Sequence, residues 1–264
     1  MLPVIPWYVT PIVLTLNLCL LVFLSRVVAR ATRVAGLDPA AGRRVVLFTG
    51  LGLAAWFLVA WAVSRVAPPA PSPTGLGVPL SFPLFMGGAI AVSLGALSGP
   101  AWRRTADAVP LSTLVGIQLF RLIGALFLVL YAAGTLPARF ALTAGWGDIA
   151  VGLTAPLVAL ALLRKIPGSR ALAAGFSVLG LIDLVIAVGL GTGLLLPLFD
   201  PGAIRQPAQA MTVFPLAIIP TFAVPLAVVL HIYSLRALLS KRQENGEGRR
   251  EIGHTPSLPI SPRV

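Results

Sequence analysis

The sequence predicts an all-α polytopic membrane protein: a bundle of seven transmembrane helices, with the N-terminus outside and the C-terminus in the cytoplasm. Three observations predict it. Only 11% of the residues are charged and 57% are hydrophobic, with a mean hydropathy of +0.94, whereas a soluble domain carries roughly 25% charged residues. The apolar residues gather in seven runs, each near the length of about 20 residues that crosses a hydrocarbon core. The basic residues then alternate between loops.

Helices placed near 8–29, 45–65, 80–98, 112–133, 141–163, 171–196 and 213–238 make that alternation visible. The first loop holds Arg26, Arg30, Arg33, Arg43 and Arg44, the third Arg103 and Arg104, and the fifth Arg164, Lys165 and Arg170. Arg236, Lys241, Arg242, Arg249, Arg250 and Arg263 follow at the C-terminal end. The intervening loops have only Arg65, Arg139 and Arg205. This is the positive-inside pattern. The net charge of +12 therefore reads as topology and contact with anionic headgroups of the lipid bilayer, not as a nucleic-acid footprint. Residues 1–240 form the membrane domain, and 241–264, charged and Pro-rich, are expected to be a disordered cytoplasmic tail.

The first helix is a retained span. Its first basic residue, Arg26, follows the apolar run, the reverse of a signal peptide. Trp7 and Tyr8 suit the outer interface, and Asn17, near the centre, is expected to hydrogen-bond a neighbouring helix. A lone Cys19 makes no intrachain disulfide. The second helix carries Trp56 and Trp61 as lipid- or bundle-facing bulk. A Pro-rich outer loop from Pro68 to Pro83 is expected to lie extended. In the third helix Gly88, Ala91 (or Val92) and Gly95 share one small-sided face, which predicts a central place in the bundle. Ala101 to Pro110 is read as the inner turn.

The fourth helix carries the feature that must be explained. Arg121 stands near the middle of an apolar run, where a bare charge costs at least a few kcal/mol. Snorkelling from the centre would leave the guanidinium short of water, so a partner or internal water is required. Gln118 is three residues before it and shares its face, with Gly124 continuing that side. After the tight turn Gly134-Thr135-Leu136-Pro137, the fifth helix carries Gly145-Trp146-Gly147-Asp148 near its start. Gly145 and Gly147 loosen the helix start, and Asp148 falls a turn or two below the outer surface. In the sixth helix Gly180, Asp183, Ala187 and Gly191 line one side, and Asp183 matches Arg121 in depth. Asp183 is thus the first-choice partner and Asp148 the spare acid. The seventh helix has Pro215, Pro220 and Pro225 as kink sites, with His231 toward the cytoplasmic end and Ser234 on the same face.

These runs carry a resemblance. Gln118-x-x-Arg121-x-x-Gly124, Gly134-x-Leu136-Pro137-x-x-Phe140-Ala141, Gly145-Trp146-Gly147-Asp148 and Leu230-His231-Ile232-x-Ser234-Leu235 resemble an uncharacterised family of bacterial inner-membrane proteins. The resemblance covers roughly the C-terminal half, from the fourth helix onward. It implies a multi-pass protein of the bacterial cytoplasmic membrane and implies no activity.

Several chemistries are excluded on residue grounds. A retinal protein needs a deep Lys, and Lys165 and Lys241 are both at the cytoplasmic edge. Bis-histidine haem needs two intramembrane His, and only His231 qualifies. One His with two acids at different depths is a poor zinc set. No metal or cofactor is expected. Gly145-x-Gly147-Asp148 resembles part of the intramembrane aspartyl-protease signature, but the second acid follows the motif and no Pro-Ala-Leu comes later. Gly189-x-Gly191-x-Gly193 has no strand before it and is read as packing or a kink. The three-plus-one-plus-three sugar-transporter layout is not supported, because the two halves share no Pro-Gln signature.

Two readings of function remain. In one, Arg121, Asp183, Asp148, Gln118 and His231 line a polar path that moves or binds a proton, ion or small solute, since one Arg cannot neutralise two acids. In the other, the Arg–Asp pair fixes helix order in a scaffold, sensor or partner subunit. An intramembrane enzyme stands third.

Overall fold

The computed structural model describes residues 4–66, 81–199 and 208–253, and the secondary structure there is entirely helical. We label the helices α1 (Val9–Val34), α2 (Pro39–Ser64), α3 (Ser81–Ala96), α4 (Pro100–Ala108), α5 (Leu111–Ala132), α6 (Ala138–Leu163), α7 (Ser169–Gly191) and α8 (Val224–Gly253). A π-helical turn, Ile219–Ala223, leads into α8. Among the described residues six spans are long and apolar enough to cross a membrane, and α3 with α4, bent by 98° at the break between them, would make a seventh.

Several boundaries differ from the sequence expectation, each for a local reason. Helix α2 starts at Pro39, not near 45, because Asp38 caps it: its carboxylate accepts from the N–H groups of Ala40 (3.0 Å) and Ala41 (3.3 Å). Asp at the N-cap with Pro at the first helical position satisfies orphan donors and presets φ. The expected inner turn 101–110 is mostly helix α4, which again opens on a Pro, Pro100. Helix α7 ends at Gly191, short of the expected 196, because Gly193 adopts φ +76° beyond its C-cap Thr192. The last helix starts later than 213 and continues through Gly253. The expected Pro-rich loop lies outside the described residues up to 80, as does the tail from 254.

The bundle is centred on α5. It packs along α6, which also packs on α7, while α8 lies against α3, α5 and α7. The α1–α2 hairpin joins this group through α4 and the π-turn. At the π-turn, Pro225 lacks the N–H that would serve the Thr221 carbonyl in a regular helix. The Trp56 indole donates to that carbonyl instead (3.0 Å). Trp56 is therefore bundle-facing, and its ring packs on Phe222 with centroids 4.9 Å apart.

The expectation for α3 is corrected. Gly88, Ala91, Val92 and Gly95 are exposed, and a methyl added at Gly88 or Gly95 would meet nothing within 4 Å. The small-sided face is not closely packed: Gly88 and Val92 border a cavity shared with α1, α2 and α8, and no backbone among the described residues comes close to Gly88.

Candidate functional site

The centre of α5 is wound as a 3₁₀ helix from Ile117 to Gly124. With three residues per turn, positions three apart eclipse one another. Gln118, Arg121 and Gly124 therefore stand in one straight row, all buried, with Arg121 at the midpoint of the 22-residue span. The row faces α6, α7 and α8.

Arg121 engages both acids, not Asp183 alone. Its Nε and Nη2 each lie 2.6 Å from Asp148 Oδ1, Nη2 also donates to Asp183 Oδ2, and Nη1 donates to the Gly180 carbonyl (3.2 Å). The guanidinium is 2% exposed, and the carboxylate side chains are 13% and 18% exposed. The fork of donors explains why an arginine, and not a lysine, holds two carboxylates and a carbonyl at once.

Glycines make room for this arrangement. A Cβ on Gly124 would run into the Cβ of Asp148 and come 2.9 Å from the Gly145 carbonyl, so α5 and α6 touch backbone to backbone there. A Cβ on Gly145 would stand 3.0 Å from the Gly124 carbonyl, and one on Gly147 would displace the Asp183 carboxylate. The expected role of Gly145 and Gly147 as looseners of a helix start is thereby replaced. Helix α6 begins at Ala138, and the two glycines are close-packing positions within it.

His231 joins the cluster through α7. Its imidazole covers Gly180, the residue whose carbonyl Arg121 holds, and its ring centroid is 5.6 Å from Phe176. Gln118 donates through Nε2 to the Ala227 carbonyl of α8 (3.1 Å). Gln118 Oε1 and both imidazole nitrogens of His231 are buried without a hydrogen-bond partner among the described residues. So is Ser177 Oγ, which the sequence reading missed. Its signal was present: Ser177-x-x-Gly180-x-x-Asp183 continues the α7 stripe one turn further. Buried polar atoms without partners are rare in folded proteins and call for water or a polar ligand.

Two supporting residues turn inward on their own helices. Asn17 Nδ2 donates to the Val13 carbonyl of α1 (2.7 Å), not to a neighbouring helix, and its Oδ1 is buried without a partner. Short polar side chains in helices commonly bond back to position i−4 in this way. Ser234 Oγ likewise donates to Leu230 (2.9 Å).

No curated protein and no solved structure matches the chain. A family model does, over residues 79–239, and this stretch begins before α3 and contains every residue of the Arg121 cluster. It covers more than half of the 264 residues, and the chain belongs to the family it describes, Domain of unknown function (DUF8737).

Proposed function

We propose that the chain is a multi-pass protein of the bacterial inner membrane, with its N-terminus outside, that binds and moves a proton, ion or small solute at the Arg121 cluster. The observation that carries this reading is the pairing of one buried guanidinium with two carboxylates. With both acids ionised the trio has one negative charge in excess, and a buried unit charge is expensive. One proton or one cation on the acids brings the trio to neutrality. The unpartnered atoms of His231, Ser177 and Gln118 extend polar lining along α7, α8 and α5. They offer the next steps of a path. Purified protein in liposomes should collapse an imposed pH gradient or pass a small ion, and Asp183→Asn should abolish the effect. Absence of flux across a broad ion and solute panel would overturn the reading.

A second reading, the structural strut, is favoured by one observation: the acids are clamped by glycines at Gly124 and Gly147 that leave no slack. Under it, Arg121→Ala strands two buried carboxylates, at a cost of about 3–5 kcal/mol. The protein should then disappear from membranes. The double variant Arg121→Asp, Asp183→Arg should restore its level. Normal levels of both single variants would rule the strut out.

A further inference from the structure

The α1–α2 hairpin meets the rest of the bundle on both sides of a gap. At one place α1 and α2 pack on α4. At the other, Trp56 donates to the Thr221 carbonyl, and Phe57 meets the Phe222 ring at 5.4 Å. Between these anchors lies a cavity of about 690 Å³, walled by Leu24 of α1, Phe48 of α2, Ala89 and Val92 of α3 and Leu230 of α8, with Trp102 of α4 beneath. The volume is in the range of small-molecule sites, roughly 300–1,000 Å³.

The chemistry of the lining selects an apolar occupant. Three of its hydrogen-bonding side chains are turned to backbone carbonyls: Thr49 Oγ1 donates to Val45 (2.7 Å), Thr105 Oγ1 to Ala101 (2.8 Å) and Tyr233 Oη to Ser93 (2.8 Å). The rim opens sideways, because Phe48 and Val92 are 60% and 75% exposed. That direction faces the hydrocarbon of a bilayer, so the occupant enters from the membrane and not from water.

Helix α4 also carries charge. Helix α4 turns Trp102, Thr105 and Ala106 to the cavity, while Arg103 and Arg104 are exposed and make no ion pair among the described residues. The nearest acid in sequence, Asp107, is taken by Arg236 (2.7 Å). Two exposed arginines on the short helix that closes the base of an apolar slot, with no ion pair among the described residues, match a molecule with an anionic head and a hydrocarbon tail.

We propose that this cavity is a lipid site, which takes one acyl chain of an anionic phospholipid whose headgroup lies on α4 against Arg103 and Arg104. The site joins the hairpin, which precedes the family-matched stretch 79–239, to helices within it. The lipid thereby completes an interface that protein side chains leave open. It is independent of the Arg121 cluster.

The test uses the full chain, delipidated in detergent and observed by native mass spectrometry with dioleoyl phosphatidylglycerol or dioleoyl phosphatidylcholine. Phosphatidylglycerol should be retained roughly ten-fold better, the size expected of one or two arginines beside an anionic headgroup. Arg103→Gln with Arg104→Gln should remove that preference, and Ala89→Trp, which fills the cavity, should remove retention of both lipids. Should Ala89→Trp fail to fold, Val92→Trp at the exposed rim takes its place. Equal retention of the two lipids by the unaltered chain would overturn the proposal, as would a tryptophan variant that keeps phosphatidylglycerol like the unaltered chain.

Discussion

Arg121 shows how little freedom a buried charge leaves its neighbours. A guanidinium at mid-span needs acceptors on several sides, and here they come from α6 and α7 as Asp148, Asp183 and the Gly180 carbonyl. Bringing three helices that close requires positions without side chains, and Gly124 is one of them. A methyl there would strike Asp148 Cβ and stand 2.9 Å from a backbone oxygen, which cannot rotate away. Gly124→Ala should therefore lower the stability of the purified protein by about 1–3 kcal/mol, the usual cost of overpacking. Gly88→Ala, where nothing lies within 4 Å, should not lower it and should raise it by up to about 1 kcal/mol, the helix-propensity gain of Ala over Gly. Thermal melts of the two variants in one detergent check both. Equal loss would mean that α5–α6 contact is not what the glycine protects. The need for acidic partners was legible from Arg121 alone, because a charge in an apolar run demands one. That both acids serve was not, since Asp148 was placed by counting from a helix start at 141. The helix starts at Ala138, and three residues at 1.5 Å each put Asp148 about 4.5 Å deeper, level with the guanidinium.

At the scale of elements, the long apolar helices were legible and the interruptions were not. Apolar length finds α1, α2, α5, α6 and α7 directly, since only helices satisfy the backbone in hydrocarbon. It says nothing of winding. The 3₁₀ stretch Ile117–Gly124 is invisible to hydropathy, although the three-residue spacing of Gln118, Arg121 and Gly124 is the spacing that such winding aligns. The π-turn before α8 follows from Pro220 and Pro225, which were read as kinks. The carbonyl freed at Thr221 became the anchor for Trp56, a pairing across 165 residues that no local pattern reveals. Helix α4 was missed for a different reason. Two arginines marked it as loop, yet Pro100 at its first position and a face of Trp102, Thr105 and Ala106 mark a short amphipathic helix.

The whole molecule turns on how α3 and α4 are counted. Helix α3 has 16 residues, about 24 Å at 1.5 Å each, against a hydrocarbon core of about 30 Å. It crosses only with help from the chain around it, and α4 turns away by 98°. Counted as a span, the pair makes seven crossings and places the two termini on opposite sides. Counted as a re-entrant element it leaves six, and every later loop changes sides. The charge pattern favours seven, because Arg103, Arg104, Arg164, Lys165 and Arg170 then share one face with the arginines of the α1–α2 loop. The two counts differ at one pair of positions that a label can reach. Val4 precedes α1 and is 87% exposed, and Ala133 is exposed just beyond the end of α5. With Cys19→Ala as background, Val4→Cys and Ala133→Cys should both react with a membrane-impermeant maleimide added to intact cells, whereas Ile166→Cys, beyond α6, should react only after lysis. If α3 and α4 do not cross together, Val4→Cys and Ala133→Cys will label from opposite sides, and Arg121 will sit in a bundle of six spans whose basic loops no longer share a face.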